Sequence, residues 1–384
     1  MKFKCLNCNS KKFKLFYHIK KFPTFFGAIT KSQIKKINNF PLEVSYCIKC
    51  NLVQQTKPIS EKYMNEVYNS KYYNCPSPLK SGMGLREIHK FWNFFNSIKQ
   101  KKGKVLEIAS FDGYLMSLLE KKGWDVHGCD PSAESILARK KFKNKIKTEF
   151  FRKGIYPKGE FDLIIFRNLL EHIYDINKFL REVNFSLKKD GHIFIDVPNI
   201  KSIIKAGSFG VFFHQHLSYF SANTIVNILE KNNFKVLKIH EGNPNLFIYA
   251  QKKITNKKTI TYKSDKKFLE KKMNVSKNMK SKILKIFLKK NNQKIVLFGI
   301  SALATSIVNI VPNNLKKKIV LLVDNDKQKH GKYLSGSNFI IKNPSIIKKI
   351  KFDKVLICSY FFIKEIIDSL KKTGISKEKI IYLK

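Results

Sequence analysis

The segment that most constrains this chain is residues 105–130, VLEIASFDGYLMSLLEKKGWDVHGCD. Val105-Leu106-Glu107-Ile108 has the apolar, branched character of a strand buried on both faces. Ser110-Phe111-Asp112-Gly113 supplies turn chemistry. Residues 114–122 then put Leu115, Leu118 and Leu119 on one helical face, and Gly123 ends that helix. Residues 124–129 read as a second strand, closed by Asp130. An acid at that point either meets the ribose hydroxyls of a bound nucleoside or caps the next helix. A unit of this kind commits the chain to a parallel sheet with helices on its faces.

The turn narrows the choice of ligand. A dinucleotide site needs G-x-G-x-x-G so that the backbone can approach a pyrophosphate. Here only Gly113 remains. S-adenosylmethionine carries no phosphate, and its amino group and sulfonium suit carboxylates such as Glu107 and Asp112. The unit therefore points to that ligand rather than to NAD.

The same alternation continues. Residues 132–141 read as a helix, 161–166 as a buried strand and 176–187 as a helix. Asp190-Gly191 reads as a turn, 192–197 as a strand, 224–231 as a helix, and 234–240 with 245–250 as a closing strand pair. Ligands of doubly wound sheets bind outside the carboxyl ends of the strands, where Asp112, Asp130, Asn168 and Glu171 fall. Residues 294–302 open a second, smaller unit of the same type, with strands expected at 319–323 and 354–358. The fold class is thus α/β, with a central Rossmann-like domain, a small N-terminal four-cysteine domain and a C-terminal Rossmann-like domain. The expected boundaries are 1–60, 61–250, a lysine-rich linker and helix at 251–291, and 292–384.

The N-terminal piece holds Cys5-Leu6-Asn7-Cys8 and Cys47-Ile48-Lys49-Cys50. Two CxxC pairs suit a closed tetrahedral zinc site, with Asn7 and Asn51 as turn residues. A redox pair needs only one such motif. The 38 residues between the pairs exceed a simple ribbon, so a loop is inserted. The expected role of the metal is to fold a piece too small to hold a core.

Charge is less specific than it looks. The formal net charge is +47, yet only five of the 75 basic residues are arginine. Readers of nucleic acid rely on arginine for bidentate and stacking contacts, and the lysines here are scattered, so no specific nucleic-acid partner is expected. Residues 251–290 hold fifteen lysines and two acids, and read as a linker followed by a basic helix with a solvated face. No secretory signal and no apolar run of membrane-spanning length is present, so a cytoplasmic location is expected. Tyr63, Tyr68, Tyr72 and Tyr73, ahead of Pro76 and Pro78, suit either packing between domains or the wall of a cleft.

Residues 213–221, FHQHLSYFS, form a polar cluster inside an aromatic stretch. His214 and His216 are either catalytic or a satisfied pair at a domain seam. No acid or cysteine lies at ligand spacing from them, which speaks against a metal there.

Together these pieces resemble the three-part class I methyltransferases that include the nucleotide-sugar C-methyltransferases. The likeness rests on the two CxxC pairs and Cys50-Asn51-Leu52-Val53-Gln54, on residues 105–113, and on Gly128-Cys129-Asp130-Pro131-Ser132. It extends to Asn168-Leu169-Leu170-Glu171-His172-Ile173, to Val197-Pro198-Asn199, to residues 213–221 and to 323–333. The resemblance implies S-adenosyl-L-methionine as methyl donor, held by Glu107, Ala109, Ser110, Asp112, Gly113, Asp130, Pro131, Asn168 and Glu171. It implies structural zinc on Cys5, Cys8, Cys47 and Cys50. It implies a base at His216, with His214, Gln215 and Tyr219 shaping the site, and a small nucleotide-linked sugar as acceptor. His172 falls in the cofactor motif as a wall residue.

Three positions depart from the family. Gln215 stands where a glutamate is usual, and an amide can orient an imidazole but supplies no charge. Deprotonation beside a ketone and deprotonation of a hydroxyl both stay open. Ala109 replaces a glycine, narrowing the cofactor loop, and Ser335 replaces a proline, which implies a less rigid loop. Methyl transfer to oxygen of another metabolite, or a non-catalytic nucleotide- or zinc-binding role, are the alternatives.

Overall fold

The computed structural model describes residues 3–69, 82–205, 212–253, 264–289, 292–360 and 362–383. The N-terminal strands are β1 (Phe13–Pro23), β2 (Ala28–Ile29), β3 (Asn39–Cys47) and β4 (Val53–Gln55). The central strands are β5 (Lys104–Ile108), β6 (Asp125–Cys129), β7 (Ile146–Lys147), β8 (Phe161–Arg167) and β9 (Leu187–Pro198), then β10 (Ser218–Tyr219), β11 (Phe234–Glu241) and β12 (Asn245–Lys252). The last six are β13 (Ile295–Phe298), β14 (Ile319–Val323), β15 (Tyr333–Leu334), β16 (Ile341–Lys342), β17 (Lys354–Ile357) and β18 (Ile380–Tyr382).

The central sheet runs β11-β12-β9-β8-β5-β6-β7. Its strands are parallel except for the hairpin β11–β12, which joins the edge of β9 antiparallel. Chain order reverses between β5 and β8, and a ligand crevice forms at such a reversal, outside the carboxyl ends. Leu106, Ile164, Ile193 and Ile195 are fully buried, as strands covered on both faces require. The helix Gly82–Asn96 lays Ile88, Phe91 and Phe95 against one face. The C-terminal sheet is parallel, ordered β16-β14-β13-β17-β18.

The N-terminal segment differs from the expected coreless piece. β1, β3 and β4 form a sheet completed by β10, a strand from the histidine-bearing loop. Phe16, Phe22, Leu42 and Val44 are buried in one core with Leu303, Ile307 and Leu334 of the C-terminal unit. Cys5, Cys47, Cys50 and Leu52 instead pack into the core beneath the central sheet. The segment is a bridge: its cysteine end sits on one unit and its sheet on the other. β2 pairs with β15, and buried Ser335 donates its hydroxyl to Phe25 O at 2.7 Å and its amide to Gly27 O at 2.9 Å. The loop expected to be less rigid is therefore tied across this seam.

Asp190-Gly191 lies within β9 rather than in a turn between elements. Phe161 faces Leu187 while Leu163 faces His192, so the extra residues bulge out of register without ending the strand. The lysine-rich helix Lys266–Leu288 buries Leu269, Met279, Ile283 and Phe287 in the shared core and leaves Lys266, Lys267, Lys271, Lys280, Lys282 and Lys285 exposed. Among described residues, no helix is long and apolar enough to cross a membrane. Tyr72, Tyr73, Pro76, Pro78 and the side chain of Tyr68 lie outside the described residues. Tyr63 is a packing residue, edge-on to Phe40 and accepting from Asn38 Nδ2 at 3.2 Å.

Because Phe22 lies in the shared core, Phe22→Ala should cost about 3–5 kcal/mol. Hydrogen exchange should show the loss in both the N-terminal sheet and the C-terminal unit, with β5, β8 and β9 protected as before.

Candidate active site at the carboxyl edge

The turn after β5 makes a tight cup. Ala109 and Phe111 adopt left-handed backbone at φ 58° and 49°, and Gly113 follows at 74°. A left-handed residue with a side chain costs about 1–2 kcal/mol. Asp130 holds the turn in place. Its Oδ2 accepts the Phe111 amide at 2.9 Å, and its Oδ1 accepts the Ser132 amide at 2.8 Å together with the Ser132 hydroxyl. A hydrogen bond to a charged group contributes about 1.5–3 kcal/mol, enough to offset one strained residue. Asp112 Oδ1 accepts from Tyr114 N, the first residue of the following helix, at 3.1 Å. A Cβ on Gly113 would lie 2.9 Å from Ala138 Cβ, and one on Gly128 would lie 2.8 Å from Ser110 Oγ, so both positions need glycine. The Asp130 carboxylate thus pins the turn itself, a role beyond the two expected of it.

Glu107 is buried beneath that cup, and its Oε2 has no hydrogen-bond partner. Burial pushes its carboxyl up to about 8, against the pull of Arg167, and the Asp112 and Asp130 carboxylates push it further the same way. The structure thus gathers Glu107, Asp112 and Asp130 at one edge of a chain whose net charge is +47. Ser110, with Oγ buried and unpartnered, sits in the same turn. Asn168, left-handed at φ 46°, follows β8 and accepts from Asn245 Nδ2 at 3.4 Å. Pro131 continues the loop after Asp130, beside Ser132.

Beyond β8, a 3-10 turn at Leu170–His172 brings Glu171 and His172 to the histidine loop. Glu171 Oε1 lies 3.9 Å from His216 Nε2, and neither carboxylate oxygen has a hydrogen-bond partner. His172 Nδ1 donates to Gln215 O at 2.7 Å. The rings of His172 and Phe213 flank His216 at 4.8 and 4.2 Å. Tyr219 stands 5.8 Å from His216 and accepts from Phe213 N at 3.3 Å. Burial raises the Glu171 carboxyl well above the carboxylate range and holds His216 well below the usual imidazole value, with His172 adding to the latter. Burial also lowers His172, to about 4.

Two expectations are corrected here. His214 is fully buried away from this cluster, donating from Nε2 to Phe22 O at 3.2 Å and packing on Phe22 and Phe40. It is a seam histidine, and its inclusion in the catalytic set does not fit. The spacing argument against ligands near His216 also fails, because Glu171, His172 and His216 place donor atoms within 4.8 Å of one another. Contacts across 45 residues of chain carry no local spacing signal. Glu171, expected on the cofactor, faces His216, while Gln215 contributes its carbonyl.

The four cysteines also converge. Cys5 and Cys50 Sγ are 3.5 Å apart, as are Cys8 and Cys47 Sγ, and all four lie within 4.8 Å. A tetrahedron of Zn–S bonds of about 2.3 Å needs sulfurs about 3.8 Å apart, so the residues fit zinc. Each knuckle turns through a left-handed asparagine whose amide returns to the first cysteine: Asn9 to Cys5 O and Asn51 to Cys47 O. Asn9, rather than the expected Asn7, is thus the first turn residue.

Residues 83–239 match the family model described as "Methyltransferase domain". The central unit is a class I S-adenosylmethionine-dependent methyltransferase domain. Residues 291–381 match a second family, "C2185-like, N-terminal". The chain is 29% identical over 147 residues to a C-methyltransferase, NovU, of Streptomyces niveus, covering 35% of this chain and 34% of that protein. It is 26% identical over 228 residues to a ubiquinone biosynthesis O-methyltransferase of Pelagibacter ubique, covering 55% of this chain and 94% of that protein. The first match spans only about a third of its relative. Among solved structures, a 1,6-didemethyltoxoflavin-N1-methyltransferase of Burkholderia thailandensis is similar at 14% identity and TM-score 0.39, covering 54% of this chain and 98% of that one.

Were the ammonium of S-adenosylmethionine to sit beside Glu107, as the resemblance implies, it would favour the ionised carboxylate. S-adenosylmethionine affinity should therefore tighten relative to Glu107→Gln as pH rises toward about 8, and the difference should shrink again above it as the ligand's ammonium loses its proton. Calorimetry on both proteins measures this.

Proposed function

We propose that the chain transfers the methyl group of S-adenosylmethionine to a small nucleotide-linked keto sugar, with His216 removing the acceptor proton and Glu171 as its carboxylate partner. The observation that carries this reading is the 3.9 Å pair of Glu171 and His216 at the carboxyl edge of the methyltransferase sheet. The bound donor supplies an electrophilic methyl on a sulfonium. The acidic cup of Glu107 and Asp112 would receive its amino acid end, Ala109, Ser110 and Gly113 would line the turn, and the Asp130 loop would border the ribose. Cys5, Cys8, Cys47 and Cys50 would hold a structural zinc ion.

In this reading His216 is neutral at neutral pH, so its lone pair is available. Its Nδ1 has no hydrogen-bond partner, while Nε2 faces Glu171. A proton taken from the carbon beside the ketone would go to the imidazole, and the electron pair left behind would be free to take the donor's methyl as its bond to sulfur breaks. The imidazolium then sits against the Glu171 carboxylate. This answers the departure at Gln215, because the charge the family draws from a neighbouring glutamate comes here from Glu171. The match to an O-methyltransferase over 94% of its length favours a second reading in which the same pair deprotonates a hydroxyl.

Incubating the enzyme with a 4-keto nucleotide sugar in heavy water separates the two. Carbon methylation predicts deuterium uptake beside the ketone, lost in His216→Ala. Methylation with no uptake sinks the enolate route and leaves the hydroxyl reading.

Glu171 must ionise before it can stabilise the imidazolium, and its carboxyl titrates above the ordinary range. The rate should accordingly rise with pH through that ionisation. Glu171→Gln should flatten this limb and lower kcat by roughly 100-fold. A pH–rate profile of the two proteins checks both points.

A further inference from the structure

The loop that bears His216 is held by a side chain from outside the methyltransferase domain. Gln55, the last residue of β4, is 1% exposed. Its Nε2 faces Phe213 O at 3.1 Å, His214 O at 2.8 Å and His216 O at 2.7 Å. Its own amide donates to Leu217 O at 2.8 Å. An amide nitrogen has two protons, so the three carbonyls that converge on it share them. On the other side, Leu217 N donates to Glu171 O at 2.7 Å. The His216 loop is thereby fixed between Gln55 and the backbone of the residue that faces the imidazole.

The neighbour of Gln55 points the other way, as alternate residues of a strand must. Gln54 is fully buried, and its Oε1 accepts the amide of Leu6, inside the first cysteine knuckle, at 3.0 Å. The second knuckle, closed by Cys47 N donating to Leu52 O at 2.9 Å, runs directly into the same strand, which starts at Val53. Both knuckles therefore terminate on β4, and β4 terminates on the histidine loop.

We infer that Gln55 is a positioning residue for His216, and that the four-cysteine cluster sets the geometry of the histidine loop through Gln54 and Gln55. The inference rests on His216 being the base only for its consequence in catalysis. The link itself is structural and can be read without an acceptor.

The test uses full-length protein labelled with 15N-histidine, with the His216 signal assigned by His216→Asn. Gln55→Glu keeps the shape and removes the donor, and Gln55→Met keeps the volume without polarity. The expected result is that both variants bind S-adenosylmethionine within about twofold of the parent, while the His216 ring titration moves up toward the free value of about 6.5 as the loop loosens. Stripping the metal from the parent with a chelator should move the same signal in the same direction. An unmoved His216 signal in the folded variants overturns the assignment. Loss of the fold in both variants overturns it too, since Gln55 is then a general structural residue. If His216→Asn retains turnover on a 4-keto nucleotide sugar, the proposed reaction fails while the Gln55 result stands.

Discussion

The Asp130 carboxylate is the interaction on which the cofactor edge depends. The turn after β5 carries alanine and phenylalanine in left-handed conformation, a geometry most chains reserve for glycine. Without an anchor such a turn relaxes, and the acids that surround it drift apart. Asp130 ties the turn after the first strand of the unit to the loop after the second. The C-terminal unit repeats the device. Asp324, at the end of β14, accepts from Ile300 N at 2.6 Å and from Asp326 N at 2.8 Å, with Gly299 left-handed at φ 89°. Lys329 Nζ adds a charge at 2.9 Å there, whereas among the described residues no cation pairs with Asp130. One edge thus keeps its anionic character, and the other is neutralised by its own chain.

What was legible in the sequence follows from the range over which each signal acts. The apolar run 105–108, the turn 110–113 and the acid at 130 are local, and the structure places a strand, a turn and an anchor there. The paired CxxC spacing likewise marked four thiols that do converge. The Glu171–His216 pair was not legible, because its partners are 45 residues apart and Glu171 sits in a motif whose usual reading is cofactor contact. β10 was missed for a related reason: a two-residue strand has no periodicity of its own and exists only because β4 offers an edge. Asp190-Gly191 carried the chemistry of a turn, yet pairing on both sides of it kept β9 continuous.

The buried carboxylates show where the fold tolerates uncompensated charge. Asp196 is fully buried at the carboxyl end of β9, with Arg167 at 3.0 Å and Asn245 at 2.6 Å as partners. Arg167 is in turn braced over the Phe91 ring at 5.0 Å. Glu171 is equally buried and has nothing comparable. An unpartnered buried carboxylate costs several kcal/mol if ionised, so it persists as the neutral acid unless a positive group arrives. The group within reach is His216, and it becomes positive only when it takes a proton. Once Glu171 has given its own proton to solvent, an imidazolium formed at His216 meets a carboxylate, and the pair stabilises the product of proton transfer more than its starting state, which is the direction in which binding energy raises a rate rather than an affinity. The arrangement needs the imidazole held at one distance from the carboxylate, and that distance is set by a loop whose two edges belong to different parts of the chain.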